Sequence, residues 1–394
     1  MARLRVAVVG GSVAGCAAAR ALAAFCDVSV YERSTGQFRQ RGAGLALRAD
    51  RYAELSVAGI LDDGIPWLAL ERRLWLLCAD GTRLARTGRQ FAQSPFPYRS
   101  YSWGALWQGL RERVPASVAF HSGTVAVGVR QDATGAEVDL ADGTTKRVDL
   151  VVGADGYQSV VRAAVFPDAV SRYAGYSALR GRLPASALPH PASAFAERDA
   201  PTVVFGSGHL LAFHVPGEDG PEINWLLYSS TPQHREANPT QEAAAPSGQQ
   251  LRGWDTLMRR ELPPYWLELL HKTSPHTMVL QRIGDLAAPR YVQGRVVLIG
   301  DAAVQLRPHT GSGALKALQD AAALGRALHS GRPLAERLDT FESERLLVGH
   351  RMLELGRRLG ETLVLNPPAW AEMDRTRFDA WFESTGQSAV GGGR

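Results

Sequence analysis

Residues 4 to 32 limit the fold of this chain more than any other stretch. An apolar run, "VAVV", leads into Gly10, Gly11 and Gly15 and then into an alanine-rich segment. The pattern predicts a strand over 3–9, a helix over 13–25 and a second strand over 27–31 that ends at Glu32, which is a βαβ start. Gly10 supplies the backbone angles of the turn and Gly15 the close approach of helix to strand. Ser12 takes the middle glycine position of G-x-G-x-x-G, and Ala14 precedes the last glycine. The N–H groups at the helix N-terminus then face a pyrophosphate. Glu32 follows Gly10 by 22 residues, where an acid accepts the hydroxyls of a ribose. Together these features point to an adenine dinucleotide.

Two further stretches pair a strand end with a glycine and an aspartate. In "LVVGADGYQSVVR", residues 150–162, a strand ends at Gly153, and Asp155 opens a turn into a helix carrying Arg162. In "VVLIGDAAVQLRPHTGSGALKALQDAAAL", residues 296–324, a buried strand ends at Gly300 and Asp301. An ionised aspartate there can accept hydrogen bonds from a polyol. Pro308, Gly311, Ser312 and Gly313 then open a helix whose N-terminus favours negative charge, such as that of a reduced flavin ring.

Between these stretches the chain reads mostly as β. A hairpin is expected over 71–87 with Asp80-Gly81 at its turn, a helix over 102–114, a β-meander over 117–156 and strands over 172–230. Two loops rich in Pro and Ala interrupt the last region. The pattern turns helical from Gly253, returns to strand at 291–299 and is nearly all helix over 313–383. No second dinucleotide unit is evident. The expected fold class is α/β: a Rossmann-like domain (1–70, 97–170 and 280–340) interrupted by a β-sheet substrate domain (71–96 and 171–279), with C-terminal helices (341–384) and a disordered tail (385–394). The length, 394 residues, suits two such domains.

Composition excludes several classes. The net charge of +5 comes from basic residues, nearly all Arg, scattered among 39 acids. No stripe or aromatic interleaving marks a nucleic-acid surface. Three cysteines without metal-ligand spacing argue for a reducing compartment, no disulfide framework and no metal site. No apolar run reaches the ~18 residues of a membrane span, and no signal segment is read, so a cytoplasmic location is expected.

The set "GGSVAG…YER", "GADGYQSVVR" and "GDAAVQLRPHTGSGALKALQDAAAL" resembles the FAD-dependent aromatic hydroxylases, the single-component flavoprotein monooxygenases. "RGAGLAL", "YSWGALWQGLR", "YAGYSALRG" and "HLLAFHVPG" are similar to the 2,6-dihydroxypyridine 3-hydroxylase-like branch. The resemblance implies FAD as cofactor and NAD(P)H as a transient co-substrate. It also implies O2 activation through a flavin C4a-hydroperoxide and hydroxylation of a small aromatic or heteroaromatic molecule. Epoxidation, Baeyer–Villiger oxidation and oxidative decarboxylation stay open, because the same intermediate serves them all. By the same resemblance Gly10, Gly15 and Glu32 would bind the ADP half of FAD, with Arg33 beside it. Arg41 and Gly44 would contact the flavin. Asp155 and Arg162 belong to the motif that serves FAD and NAD(P)H. Gly300 and Asp301 would meet the ribityl chain, and Pro308, Gly311, Ser312 and Gly313 the isoalloxazine. Two positions depart from the pattern: Ser12 replaces a glycine, and Trp103 stands where relatives carry Arg or Gln, leaving Gln108 as a substitute phosphate contact.

A base near the aromatic ring would raise its nucleophilicity. His214 and Tyr228 are the first candidates on the β-rich module, with His209 and Arg180 behind them. His309 lies at the helix entrance beside the expected flavin. The expected partners are a small aromatic substrate and O2, with no nucleic acid or membrane, and the chain is expected to be a monomer or homodimer.

Overall fold

The computed structural model describes residues 3–36, 44–77, 87–188, 195–230 and 243–386. Strand β1 (Leu4–Val9) lies inside a six-stranded sheet. Helix α1 (Val13–Leu22) carries the chain back to β2 (Cys26–Glu32), which pairs parallel to β1. On its other side β1 pairs with β10 (Leu150–Gly153), and β10 pairs with β17 (Val296–Leu298), all parallel. β6 (Ala119–Ser122) borders β2, and the short antiparallel β16 (Val292–Gln293) closes the far edge. The central strands "VAVV", "LVV" and "VVL" are buried almost completely, as strands covered on both faces must be. Register therefore sets the C-terminal ends of β1, β10 and β17 side by side, and each end carries one of the three glycine–acid stretches.

A nine-stranded sheet forms the second layer. Its order is β3 (Gly44–Arg48), β5 (Arg89–Ser102), β4 (Leu68–Leu77), β12 (Asp199–Phe205), β13 (Gly208–Gly217), β14 (Gly220–Ser229), β11 (Arg172–Pro184), β15 (Val279–Ala287) and β18 (Val304–Gln305). One face packs on α5 (Gly248–Glu261) and α6 (Pro264–Lys272), with Trp225, Trp254 and Trp266 fully buried between them. Each such indole removes roughly 150–250 Å² from water, worth about 4–6 kcal/mol before entropy is counted. The other face meets Leu355, Leu359, Leu363, Trp370 and Phe378 from the C-terminal part of the chain. That part comprises α7 (Gly313–His329), α8 (Leu334–Gly360) and α9 (Arg375–Ser384).

The structure corrects several expectations. The first helix stops at Leu22 rather than 25. The meander is only β7 (Ala126–Gln131), β8 (Ala136–Leu140) and β9 (Thr145–Val148); β6 and β10 leave it for the parallel sheet. Strand β15 stands where a helical stretch was expected. The nine-stranded sheet also exceeds the expected substrate-domain boundaries, because β3, β15 and β18 join it from outside them. The Asp80-Gly81 turn, Cys78 and the tail beyond 386 lie outside the described residues. No helix among the described residues is long and apolar enough to cross a membrane.

Candidate active site

The glycines at the end of β1 stand where no side chain fits. Gly10 has φ +99°, and a Cβ on it would lie 2.5 Å from the Ala154 carbonyl. A Cβ on Gly15 would lie 1.8 Å from the Gly10 carbonyl, and one on Gly11 would meet Phe120 and Glu32. These contacts press the β1 turn against the ends of β10 and β2. Trp107, on α3 (Trp103–Glu112), donates to the Gly11 carbonyl at 2.9 Å. Glu32 is buried, and its two oxygens accept from Gly11 N at 2.6 Å and Ser34 N at 2.7 Å. Each carboxylate oxygen keeps a second lone pair for a ribose hydroxyl. Ser12 begins α1 in extended conformation without capping the helix, so the first N–H groups, including that of Ala14, have no intrahelical partner. Arg33 is exposed at the end of β2. Gln108, expected to stand in at the phosphate, donates instead to Glu112 at 2.6 Å on its own helix. Arg41 lies outside the described residues.

Asp155 caps α4 (Val160–Val165). It accepts from Ser159 Oγ at 2.5 Å, Val160 N at 2.8 Å and Val161 N at 3.2 Å, while burial pushes its carboxyl up. Arg162 turns inward. Its guanidinium donates to the carbonyls of Ala302 at 3.1 Å, Ala169 at 3.1 Å and Tyr157 at 2.5 Å. These bonds tie the second stretch to the third.

The third stretch completes the convergence. Gly300 has φ +58°, and a Cβ there would meet Ala14 and Ala317, each at 3.2 Å. Asp301 follows. Its carboxyl is pushed up by burial, against the pull of Lys316 and Arg162, and no described residue hydrogen-bonds it. Asp301 Oδ1 lies 3.9 Å from where a Cβ on Gly313 would stand. Pro308–Thr310 form one tight turn that ends at Gly311, left-handed at φ +62° and beside the Ala46 carbonyl of β3. Ser312 begins α7; its hydroxyl donates to the Thr310 carbonyl at 3.0 Å and accepts from none of the helix N–H groups. The first N–H groups of α7 are therefore open as well.

Beneath Asp301 is a buried charge network that sequence reading missed. Lys316 Nζ donates to Asp320 at 2.6 Å and to the Gly300 carbonyl at 2.9 Å. Asp320 also accepts from Gly300 N at 2.9 Å and from Arg345 Nε at 2.8 Å. Lys316 and Asp320 have no exposed side-chain surface. A lone Lys four residues before an Asp, in a helix mostly of Ala and Leu, was the available signal.

The nine-stranded sheet supplies the facing wall. His309 Nε2 lies 2.6 Å from the Tyr176 hydroxyl, and its ring is 4.5 Å from Tyr228. His209 stacks on Tyr228 at 4.8 Å. Burial holds His309 well below the usual imidazole range and His209 at about 3; the neighbouring Arg73 contributes to both shifts. Burial pushes Tyr228 up to about 12 and Tyr176 higher still. Asn224 accepts from Gly44 N at 2.6 Å, joining β14 to β3. His214 does not join this group. It alternates with Phe213, points to the α5–α6 side and packs on Phe195 at 4.8 Å. The parity of β13 therefore removes it from the wall that holds Tyr228 and His309. Arg73, Tyr176 and Asn224 were not expected. The alternation of Tyr176, Ala178 and Arg180 along β11 was the clue to Tyr176.

This architecture fits FAD. Gly10, Gly15 and Gly300 let the strand ends and helix starts pack without side chains between them, two helix N-termini lie open, and Asp301 presents a carboxylate that protein donors leave free. Comparison with known proteins agrees. Residues 212–355 match the family model described as an FAD binding domain. The chain is 33% identical over 372 residues to 3-amino-4-hydroxybenzoate 2-monooxygenase of Streptomyces cremeus, covering 91% of this chain and 87% of that one. It is 29% identical over 381 residues to 2,6-dihydroxypyridine 3-monooxygenase of Paenarthrobacter nicotinovorans, covering 91% of each. The solved structure of 2,6-dihydroxypyridine-3-hydroxylase from Arthrobacter nicotinovorans superposes with a TM-score of 0.82 at 26% identity over 95% of both chains. With three separate stretches gathered around one cleft and a relative this similar along nearly its whole length, the chain belongs to the FAD-dependent aromatic hydroxylases, a family of flavoprotein monooxygenases.

Proposed function

We propose that this enzyme uses NAD(P)H and O2 to hydroxylate a small aromatic or heteroaromatic molecule held between the Pro308–Gly313 turn and the nine-stranded sheet. The observation that carries the reading is the meeting of Asp301, the open start of α7 and the His309–Tyr228 pair at one place. FAD, when bound, supplies hydride acceptance and oxygen activation. Glu32 and the N-terminus of α1 hold its adenosine diphosphate end. Asp301 takes the ribityl hydroxyls, and the start of α7 stabilises negative charge on the pyrimidine side of the ring. Asp155, fixed by Ser159, keeps the second stretch in place beside them.

On the substrate side, His309 is the group placed to take a proton from a ring hydroxyl. Burial keeps its imidazole neutral, and Tyr176 at 2.6 Å sets the tautomer. With Nε2–H donated to the Tyr176 oxygen, Nδ1 keeps its lone pair for the substrate. Tyr228, pushed up to about 12, stays protonated and donates. Leu226, on the same face of the strand, excludes water, which limits wasteful loss of activated oxygen.

The test is a panel of phenols, pyridinols and indoles turned over with NAD(P)H under labelled O2 and scored by product mass. One labelled oxygen atom in a ring product is expected for at least one compound. Oxidation of NAD(P)H across the whole panel without oxygen in any product would overturn the reading.

A further inference from the structure

Lys316 stands where helix physics disfavours it. It closes the first turn of α7, at the positive end of the helix dipole, and its side chain has no exposed surface. Lysines are almost never buried so completely unless something nearby answers the charge. The Lys316 ammonium donates to the Gly300 carbonyl at 2.9 Å, the peptide oxygen directly ahead of Asp301, and to Asp320 Oδ2 at 2.6 Å. Asp320 Oδ1 accepts from Arg345 Nε of α8 at 2.8 Å.

The hydrogen bonds of this network close, but its charges do not. Lys316 and Arg345 are two cations on one carboxylate. The charged groups around Asp301 come from three helices. Lys316 and Asp320 belong to α7, with Arg345 of α8 bound to Asp320 behind them, and Arg162 belongs to α4 and itself faces Asp155. Three cations meet three acids only when Asp301 is ionised. Arg162 spends its guanidinium on the carbonyls of Ala169, Ala302 and Tyr157, so the unmatched charge lies on the lysine side. A buried cation without a counter-charge is costly. Asp301 is only part-buried, and among the described residues nothing donates to it. Burial pushes its carboxyl up; Lys316 is the strongest charge opposing that push, ahead of Arg162.

We propose that Lys316 is a positioning residue for FAD: its buried ammonium is the counter-charge that holds Asp301 as a carboxylate, the acceptor form that the ribityl hydroxyls require. The inference rests on the role proposed for Asp301 at the ribityl chain and not on the reaction that follows.

Release of FAD on dilution of the FAD-loaded full-length chain, read by flavin fluorescence at pH values from about 8 to about 5, tests this. Uptake of a proton by Asp301 weakens FAD binding by at most about tenfold per pH unit. Lys316→Gln keeps a donor for the Gly300 carbonyl and removes the charge. Its loss of affinity should begin about one pH unit or more above any loss in wild type. Lys316→Arg keeps the charge and should follow the wild-type profile. Asp301→Asn should bind FAD more weakly at the upper pH and show no such pH dependence, which separates the role of Asp301 from that of Lys316. Superimposable profiles for wild type and Lys316→Gln overturn the proposal, as does a shift that Lys316→Arg shares. A wild-type profile in Asp301→Asn would remove Asp301 from the ribityl chain and this inference with it. If Lys316→Gln does not fold, the double variant with Asp301→Asn decides. Two neutral residues beside the Asp320–Arg345 pair should fold and bind FAD with a flat profile; failure to fold there makes Lys316 purely structural and overturns the proposal.

Discussion

Two sets of buried polar atoms lie on opposite sides of the flavin cleft, and they are built differently. Below Asp301, Lys316, Asp320 and Arg345 satisfy one another and both backbone groups of Gly300; only Arg345 Nη2 is left over. On the sheet wall, Arg180, Gln281, Asn224 and two histidines end in atoms with no partner. The first set is complete without a ligand and fixes the position of a strand end. The second keeps unpaired polar atoms among the described residues. The contrast separates residues that hold the scaffold from residues whose polar atoms the scaffold does not use.

The largest expected effect would break this contrast if absent. Asp320→Ala leaves Lys316 and Arg345 buried without their shared anion and should cost about 3–5 kcal/mol in denaturant unfolding. Arg180→Gln should change stability by no more than about 1 kcal/mol, since no native ion pair is lost. A smaller loss for Asp320→Ala than for Arg180→Gln would reverse the assignment of the two sets.

The second effect sharpens the contrast through pH. The folded-state values of His209 and His309 are depressed, His209 to about 3. Their contribution is therefore fully present above the unfolded value of about 6.5 and is lost as pH falls from there toward the folded value. Each can cost up to ~1.4 kcal/mol per pH unit, or about 2 kcal/mol between pH 6.5 and 5. Denaturant melts at these two pH values should show the loss, and His209→Gln should reduce it. An equal loss in wild type and variant would mean the imidazole is not held neutral.

The smallest effect concerns the opposite face of the sheet. His214→Ala should leave kcat and its pH profile within about twofold of wild type, because the ring lies among Phe195 and the α5–α6 side chains. A shifted profile would return His214 to the catalytic group.

Sequence alone was enough for the parallel sheet and its cofactor ends, because there the local signals agree. Apolar runs, glycines and acids recur at strand ends, and the backbone at Gly10 and Gly15 admits no side chain. The wall was less legible for the same reason that it is functional. "VLQRIGDLA" of β15 presents Gln281, Arg282 and Asp285 where a core strand would show apolar residues, and a register shift between Tyr173 and Ser177 in β11 breaks its alternation. His214 illustrates the limit from the other side. A histidine on a strand is easily seen, but the face it takes depends on parity across a sheet assembled from distant segments. Arg345 meets Asp320 across 25 residues, and no periodicity records that.

The parallel pairings have a bearing on how the polypeptide reaches its native state. β1 is flanked by a strand near residue 150, and that strand by one near 297; the larger sheet likewise draws its last members from 279–287 and 304–305. A ribosome-bound chain that has emerged only as far as residue 290 lacks β17, so one edge of β10 is bare, and folding must wait for sequence that arrives late. During that interval the apolar strands stay partly unpaired, and expression at reduced temperature should raise the yield of native enzyme.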